Sequence, residues 1–245
     1  MRQAAITGMG WVSKSSRGYP GHVHYSKHAN CLPRISGKDI LNRPHKAFGR
    51  MDNFSKMGFS AITFALADAG IPLPGPKNIV MIASSVTGCL ETDIQYQTTL
   101  SRKNGILPSP TLFAYTLPSC FLGEAAIYHG ITGESFMVEE EIGNGLRGLS
   151  LGLDLMEQGK SDTLVCGICN SDLYSEVKMA GANNEDSFPE PGALFFVLEK
   201  KADRSCHGTI TEDTALDIFS HEDKKIISLT DLGKTIQKSA QGKII

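Results

Sequence analysis

Residues 116–170 read TLPSCFLGEAAIYHGITGESFMVEEEIGNGLRGLSLGLDLMEQGKSDTLVCGICN, and the order of elements within them decides the fold. An apolar helix centred on Phe121–Tyr128 leads into a short strand, Ser135–Val138. The acidic turn Glu139-Glu140-Glu141-Ile142-Gly143-Asn144 then opens a long helix over Ile142–Gln158, and Thr163–Ile168 forms the next strand. Leu146, Leu149, Leu153 and Met156 share one face of that helix, the spacing of an element that covers a sheet. A strand turning sharply into a helix is where an elbow nucleophile sits, with the helix N-terminus ready to stabilise an anion. Here the turn holds no cysteine, serine or threonine. The ordinary chemistry of such an elbow has no residue to carry it.

On the N-terminal side, residues 3–8 (QAAITG) read as a buried strand ending at Gly8 and Gly10. The following forty or so residues are rich in Gly, Pro, His and Ser and read as loop with short helical pieces. From Ser55, the residues Met57, Phe59, Ile62, Leu66 and Ala69 recur at helical spacing until Gly70 and Pro72 stop the helix. Asn78–Ser84 (NIVMIAS) is a continuous apolar run, typical of a parallel strand covered on both faces. A further helix is expected near Glu91–Lys103, and Pro108 and Pro110 punctuate a loop.

On the C-terminal side, a polar loop with Asn183, Asn184, Glu185 and Asp186 separates Thr163–Ile168 from the apolar strand Leu194–Leu198. The last forty residues are polar, with one more strand expected near His207–Phe219 and then a helix or a loosely held tail. The sequence of elements predicts an α/β layered fold, a mixed sheet packed with helices.

A chain of 245 residues has ample material for one large α/β domain. The formal net charge of −2 and the lack of any strongly basic region argue against a nucleic-acid partner, which needs clustered Lys and Arg. Six scattered cysteines fit reduced thiols rather than a disulfide framework. The opening MRQAAITGMGWVS lacks a signal-peptide core, and no apolar run approaches the roughly 20 residues of a membrane span. A cytoplasmic protein is the expectation.

Several residues invite a chemical reading. Glu139, Glu140 and Glu141 form a catalytic carboxylate cluster in one view, and in the other are acids stabilised by the dipole of the helix they precede. His22, His24 and His28, with Cys31 nearby, have the right atoms for a zinc site. Their spacing matches no closed structural pattern, and a solvated loop explains them as well. Cys166-Gly-Ile-Cys169 is a CxxC at the end of a buried strand, whereas redox motifs place the first cysteine at a helix N-terminus. Gly8-x-Gly10 has Ser13 where a dinucleotide loop has its third glycine. His129, late in its helix, suits packing or a dipole contact. No cofactor is expected.

Motifs spread along residues 1–204 resemble the N-terminal half of β-ketoacyl-acyl-carrier-protein synthases, which have the thiolase fold. They are AAITGMGWVS at the start, Arg50-Met51-Asp52-Asn53-Phe54-Ser55 with Ala61, Ala65, Ala69 and Gly70, and Ile82-Ala83-Ser84-Ser85 with Gly88. Gly130-Ile131-Thr132-Gly133, then Gly159-Lys160-Ser161-Asp162 with Gly167, then Gly192-Ala193 and Val197-Leu198-Glu199 complete the series. The stretch from Pro108 to Ser135 is most similar to short stand-alone synthase-like proteins of aryl-polyene, flexirubin and fatty-acid-like pathways, some of them chain-length-factor-like.

The resemblance implies one thiolase-like half over residues 1–204, flanked or completed by a polar extension over residues 205–245. It places the family's nucleophilic cysteine at or beside Ile142, so that Glu141 and Ile142 mark a degenerate elbow. Nothing after Gly192 resembles the histidine and lysine motifs of the family's second half. Claisen condensation needs an activated thiolate, an oxyanion site and a decarboxylating pair. The resemblance therefore implies a non-catalytic, chain-length-factor-like subunit. It would form a homodimer, or a heterodimer with a complete ketosynthase, with acyl carrier protein as a further partner. The strand Ser135–Val138 is the implied dimer contact. The alternative is an acyltransferase, thioesterase or decarboxylase using Glu or His residues in the same cleft.

Overall fold

The computed structural model describes residues 3–26, 32–72, 74–101, 108–140, 147–172, 191–201 and 206–211. Eight strands form one sheet: β1 (Gln3–Val12), β2 (Ser16–Tyr19), β3 (His22–Tyr25), β4 (Val80–Ser85), β5 (Ser135–Glu139), β6 (Thr163–Asn170), β7 (Gly192–Glu199) and β8 (Gly208–Thr211). Their order is β3-β2-β1-β7-β6-β4-β5, with β8 also on β1. β4 runs parallel to both β5 and β6, and β7 lies antiparallel between β6 and β1. The mixed sheet predicted from the pattern is what forms.

Six α-helices accompany it among the described residues: α1 (Gly37–Ile40), α2 (Asn53–Asp68), α3 (Leu90–Ser101), α4 (Pro110–Phe113), α5 (Cys120–His129) and α6 (Arg147–Glu157). Alternate side chains of the buried strands sort onto two faces, as a period of two requires. Met81, Ala83, Val165, Cys169, Phe195 and Val197 join α2 and α5 in one core. Val80, Ile82, Leu164, Cys166, Leu194 and Phe196 join Leu149, Leu153 and Met156 of α6 in the other.

α2 starts where Asp52 accepts the Ser55 amide at 2.9 Å and stops at Gly70, whose φ of +61° suits the residue after a helix. Gly8 and Gly10, read from sequence as the end of the first strand, lie inside it. A Cβ on Gly10 would fall 2.3 Å from the Ala61 carbonyl oxygen and the Ala65 amide nitrogen, so the glycines let α2 pack directly on the backbone of β1. β1 consequently continues to Val12 and feeds the β2–β3 hairpin, where composition had suggested a loop. β8 lies within the stretch where one more strand was expected.

Candidate functional site

In a sheet with parallel central strands, ligands bind outside the strand carboxyl ends. Here the carboxyl ends of β4, β5 and β6 carry Ser84-Ser85, Glu139-Glu140 and Asn170-Ser171, and the described part of α6 opens at Arg147. Five of these side chains are buried: Ser84, Ser85, Glu140, Asn170 and Ser171. Glu141 and Ile142 lie outside the described residues.

The acids of the turn have different surroundings. Glu139 ends β5 opposite Ser85 and is exposed. Glu140 is only 4% exposed, and its amide donates to the Ser85 carbonyl at 2.9 Å. Its Oε2 accepts the Arg147 amide at 3.0 Å, and Ser84 Oγ accepts the Gly148 amide at 3.0 Å. Two backbone amides of α6 are thus bound by the chain's own side chains, which tie this helix to the ends of β4 and β5.

The remaining polar groups tie the turn after β4 to the end of β6. Asn170 Oδ1 accepts the Val86 amide at 2.9 Å and the Ser85 hydroxyl at 3.3 Å, while Ser85 Oγ accepts the Gly88 amide at 2.7 Å. Ser171 joins the same turn. Its amide donates to Thr87 Oγ1 at 2.9 Å and its hydroxyl donates to the Gly88 carbonyl. Every hydroxyl in this group has a structural partner. Sequence reading missed this network, although a polar pair closing each of three apolar strands was its available signal.

The thiols near the sheet are not activated. Burial pushes Cys166 up to about 12 and raises Cys169 well above its ordinary value; burial with the nearby carboxylates of Asp93 and Asp52 pushes Cys89 up to about 12. Such thiols carry almost no thiolate near neutral pH. Cys166 faces the α6 core and Cys169 the α2 core, so the CxxC sends its sulfurs to opposite sides of the sheet.

The candidate histidines lie elsewhere. His22 and His24 sit on β3 at one edge of the sheet, whereas Glu139 and Glu140 belong to β5 at the other. Six strand spacings separate the two edges, roughly 30 Å. His28 and Cys31 lie outside the described residues. Among the described residues no three His, Cys, Asp or Glu side chains gather as metal ligands. His129 is a core residue, its Nε2 2.9 Å from Thr63 Oγ1 and its ring stacked on Phe59.

A separate cleft of about 450 Å³ opens between α4 and α5, lined by Arg50, Thr111, Tyr115, Cys120, Glu124 and Ile127 among others. Glu124 is held there by His45 at 3.0 Å and by the Tyr115 hydroxyl at 3.5 Å. None of the turn acids lines it. Around this region the surface is apolar: Phe113, Leu117 and Ile127 are 61%, 64% and 72% exposed, with Leu90 and Ile94 of α3 also exposed. Among the described residues no helix is long and apolar enough to cross a membrane.

Several solved structures share this fold. The ishigamide ketosynthase/chain length factor aligns with a TM-score of 0.65 at 17% identity, covering 83% of this chain and 64% of that one. A ketosynthase in complex with its chain length factor from Xenorhabdus doucetiae aligns at 0.57 and 18% identity, over 82% and 80% of the two chains. A β-ketoacyl synthase from Burkholderia phymatum aligns at 0.59 and 18% identity, over 86% and 63%. The chain thus spans about two thirds of the length of most of these proteins. No curated protein matches it. The model of the β-ketoacyl synthase N-terminal domain matches residues 25–186, more than half of the chain. On that match, with the sheet order and the helices on both faces, the chain belongs to the β-ketoacyl synthase N-terminal-domain family and has its thiolase-like fold.

Proposed function

We propose that this chain is a non-catalytic, chain-length-factor-like subunit that works beside a complete ketosynthase in fatty-acid or polyketide assembly of the aryl-polyene or flexirubin type. One observation carries the reading. The sequence of the elbow offers no nucleophile, and beside it the Arg147 and Gly148 amides of α6 are bound by Glu140 and Ser84. An elbow of this kind holds a helix; it has no side chain for an acyl group to be transferred to.

Association follows from two surfaces. Among the described residues β5 lies at one edge of the sheet, and Phe136, Met137 and Val138 on it are only partly buried. The exposed apolar residues of α3, α4 and α5 add a patch of the kind that a partner covers. Pairing through β5, as an isologous dimer or with a ketosynthase, satisfies the strand edge. The complexes among the structural neighbours support such pairing, and acyl carrier protein is a further partner in this reading.

Incubation with acyl- and malonyl-carrier protein, followed by mass spectrometry, tests it. The expected result is binding without turnover. Product formation that is lost on substitution of Glu139–Glu141 would instead establish an acyl-thioester-processing enzyme.

A further inference from the structure

The outer edge of β1 is shared by two short strands. β8 pairs with Gln3–Ile6 and β2 with Trp11 and Val12, leaving a gap between them where β1 carries a bulge. Asp68, the last residue of α2, reaches into that gap. Its Oδ2 accepts the Met9 amide at 2.8 Å and meets His207 Nε2 at 2.6 Å. His207 directly precedes β8, and its own amide donates to the Ile6 carbonyl at 2.7 Å. One carboxylate oxygen therefore joins the end of a core helix, the middle of β1 and the start of β8.

Over its described residues Gly208–Thr211, β8 sends one side chain, Ile210, fully into the core. The Asp68 contact anchors the start of this pairing. Asp68 is the charged group that acts on His207 from α2. β1 from Gln3 to Gly10 and β8 itself contain no charged residue.

We propose that Asp68 and His207 form a proton-operated clasp, which locks β8 onto β1 when the histidine is charged and loosens it when the proton leaves. The Asp68 hydrogen bond, opposed by burial and reinforced by the carboxylate's charge, holds His207 above its ordinary value of 6.5. A raised pKa in the folded state means that the added stability is complete below about 6.5 and is lost as pH rises through the folded value. Loosening β8 would bare the Gln3–Ile6 edge, a template for pairing with another chain, and draw Ile210 out of its core.

Hydrogen-exchange mass spectrometry of the whole chain from pH 6 to pH 9, corrected for intrinsic exchange, tests the clasp. Peptides covering residues 206–211 and 3–6 are expected to lose protection across that range, about tenfold for each unit by which the pair raises the histidine. Peptides from β4 should keep theirs. H207Q and D68N, the latter retaining an acceptor for the Met9 amide, should be less protected at pH 6 and flat with pH. A wild-type β8 whose protection does not change, or the same fall in both variants, would overturn the proposal.

Discussion

The carboxylate of Glu140 accepts the Arg147 amide at 3.0 Å, so the residue that follows β5 is tied directly to the backbone of α6. The contact makes specific demands on both residues.

Removing this acceptor should weaken the fold. E140A, which leaves the Arg147 amide without its acceptor, is expected to lower stability by about 1–3 kcal/mol, and E140Q, which keeps a carbonyl acceptor, by less. Urea unfolding followed by circular dichroism measures both. Equal losses in the two variants would mean that the charge rather than the acceptor matters.

The glycine contacts should tolerate nothing larger. A Cβ on Gly58 would come 2.5 Å from the Phe121 ring, and one on Gly10 would strike the α2 backbone. G10A has no flexible side chain to displace and is expected to lose more than G58A, by at least about 2 kcal/mol relative to the parent. Thermal melts of the soluble fraction order the two.

His129 predicts an acid limb in the stability profile. Burial, aided by the charges of Arg43 and His45, holds it down to about 4, against an ordinary value of 6.5. The unfolded chain therefore takes up a proton that the folded chain resists. Stability is full above about 6.5 and falls as pH drops towards 4, by up to about 3 kcal/mol. Unfolding free energies of wild type and H129Q between pH 4 and pH 8 give the comparison, and the slope should be shallower in H129Q.

The association surface predicts that charge will disrupt it. Glutamates at the exposed Phe113 and Ile127 should shift an assembled form towards monomer without lowering the melting temperature of the monomer, whereas lysines at Phe136 and Val138, which pack against the α6-side core, should weaken the monomer as well. Analytical ultracentrifugation over a concentration series reads the shift.

Most elements were legible in the sequence because their apolar residues repeat at one period. NIVMIAS, residues 78–84, largely overlaps β4, the Met57–Leu66 spacing lies in α2, and the Leu149–Met156 face in α6. Gly8 and Gly10 misled because a glycine that ends a strand and one that admits a helix look alike in a single chain. The β2–β3 hairpin escaped because its four-residue strands, SRGY and HVHY, face little core and carry little apolar pattern. At the elbow, the sequence shows residues 139–144 without cysteine, serine or threonine. That Glu140 is buried and Glu139 exposed was not legible there, since neighbours in a run of acids differ only in where the backbone sends them.

The most direct measurement is the mass in solution, by size-exclusion chromatography with light scattering, of the 26.5 kDa chain alone and mixed with a complete ketosynthase from the same source. Our account predicts a dimer, or a one-to-one complex with that ketosynthase. A stable, monodisperse monomer under both conditions would contradict it.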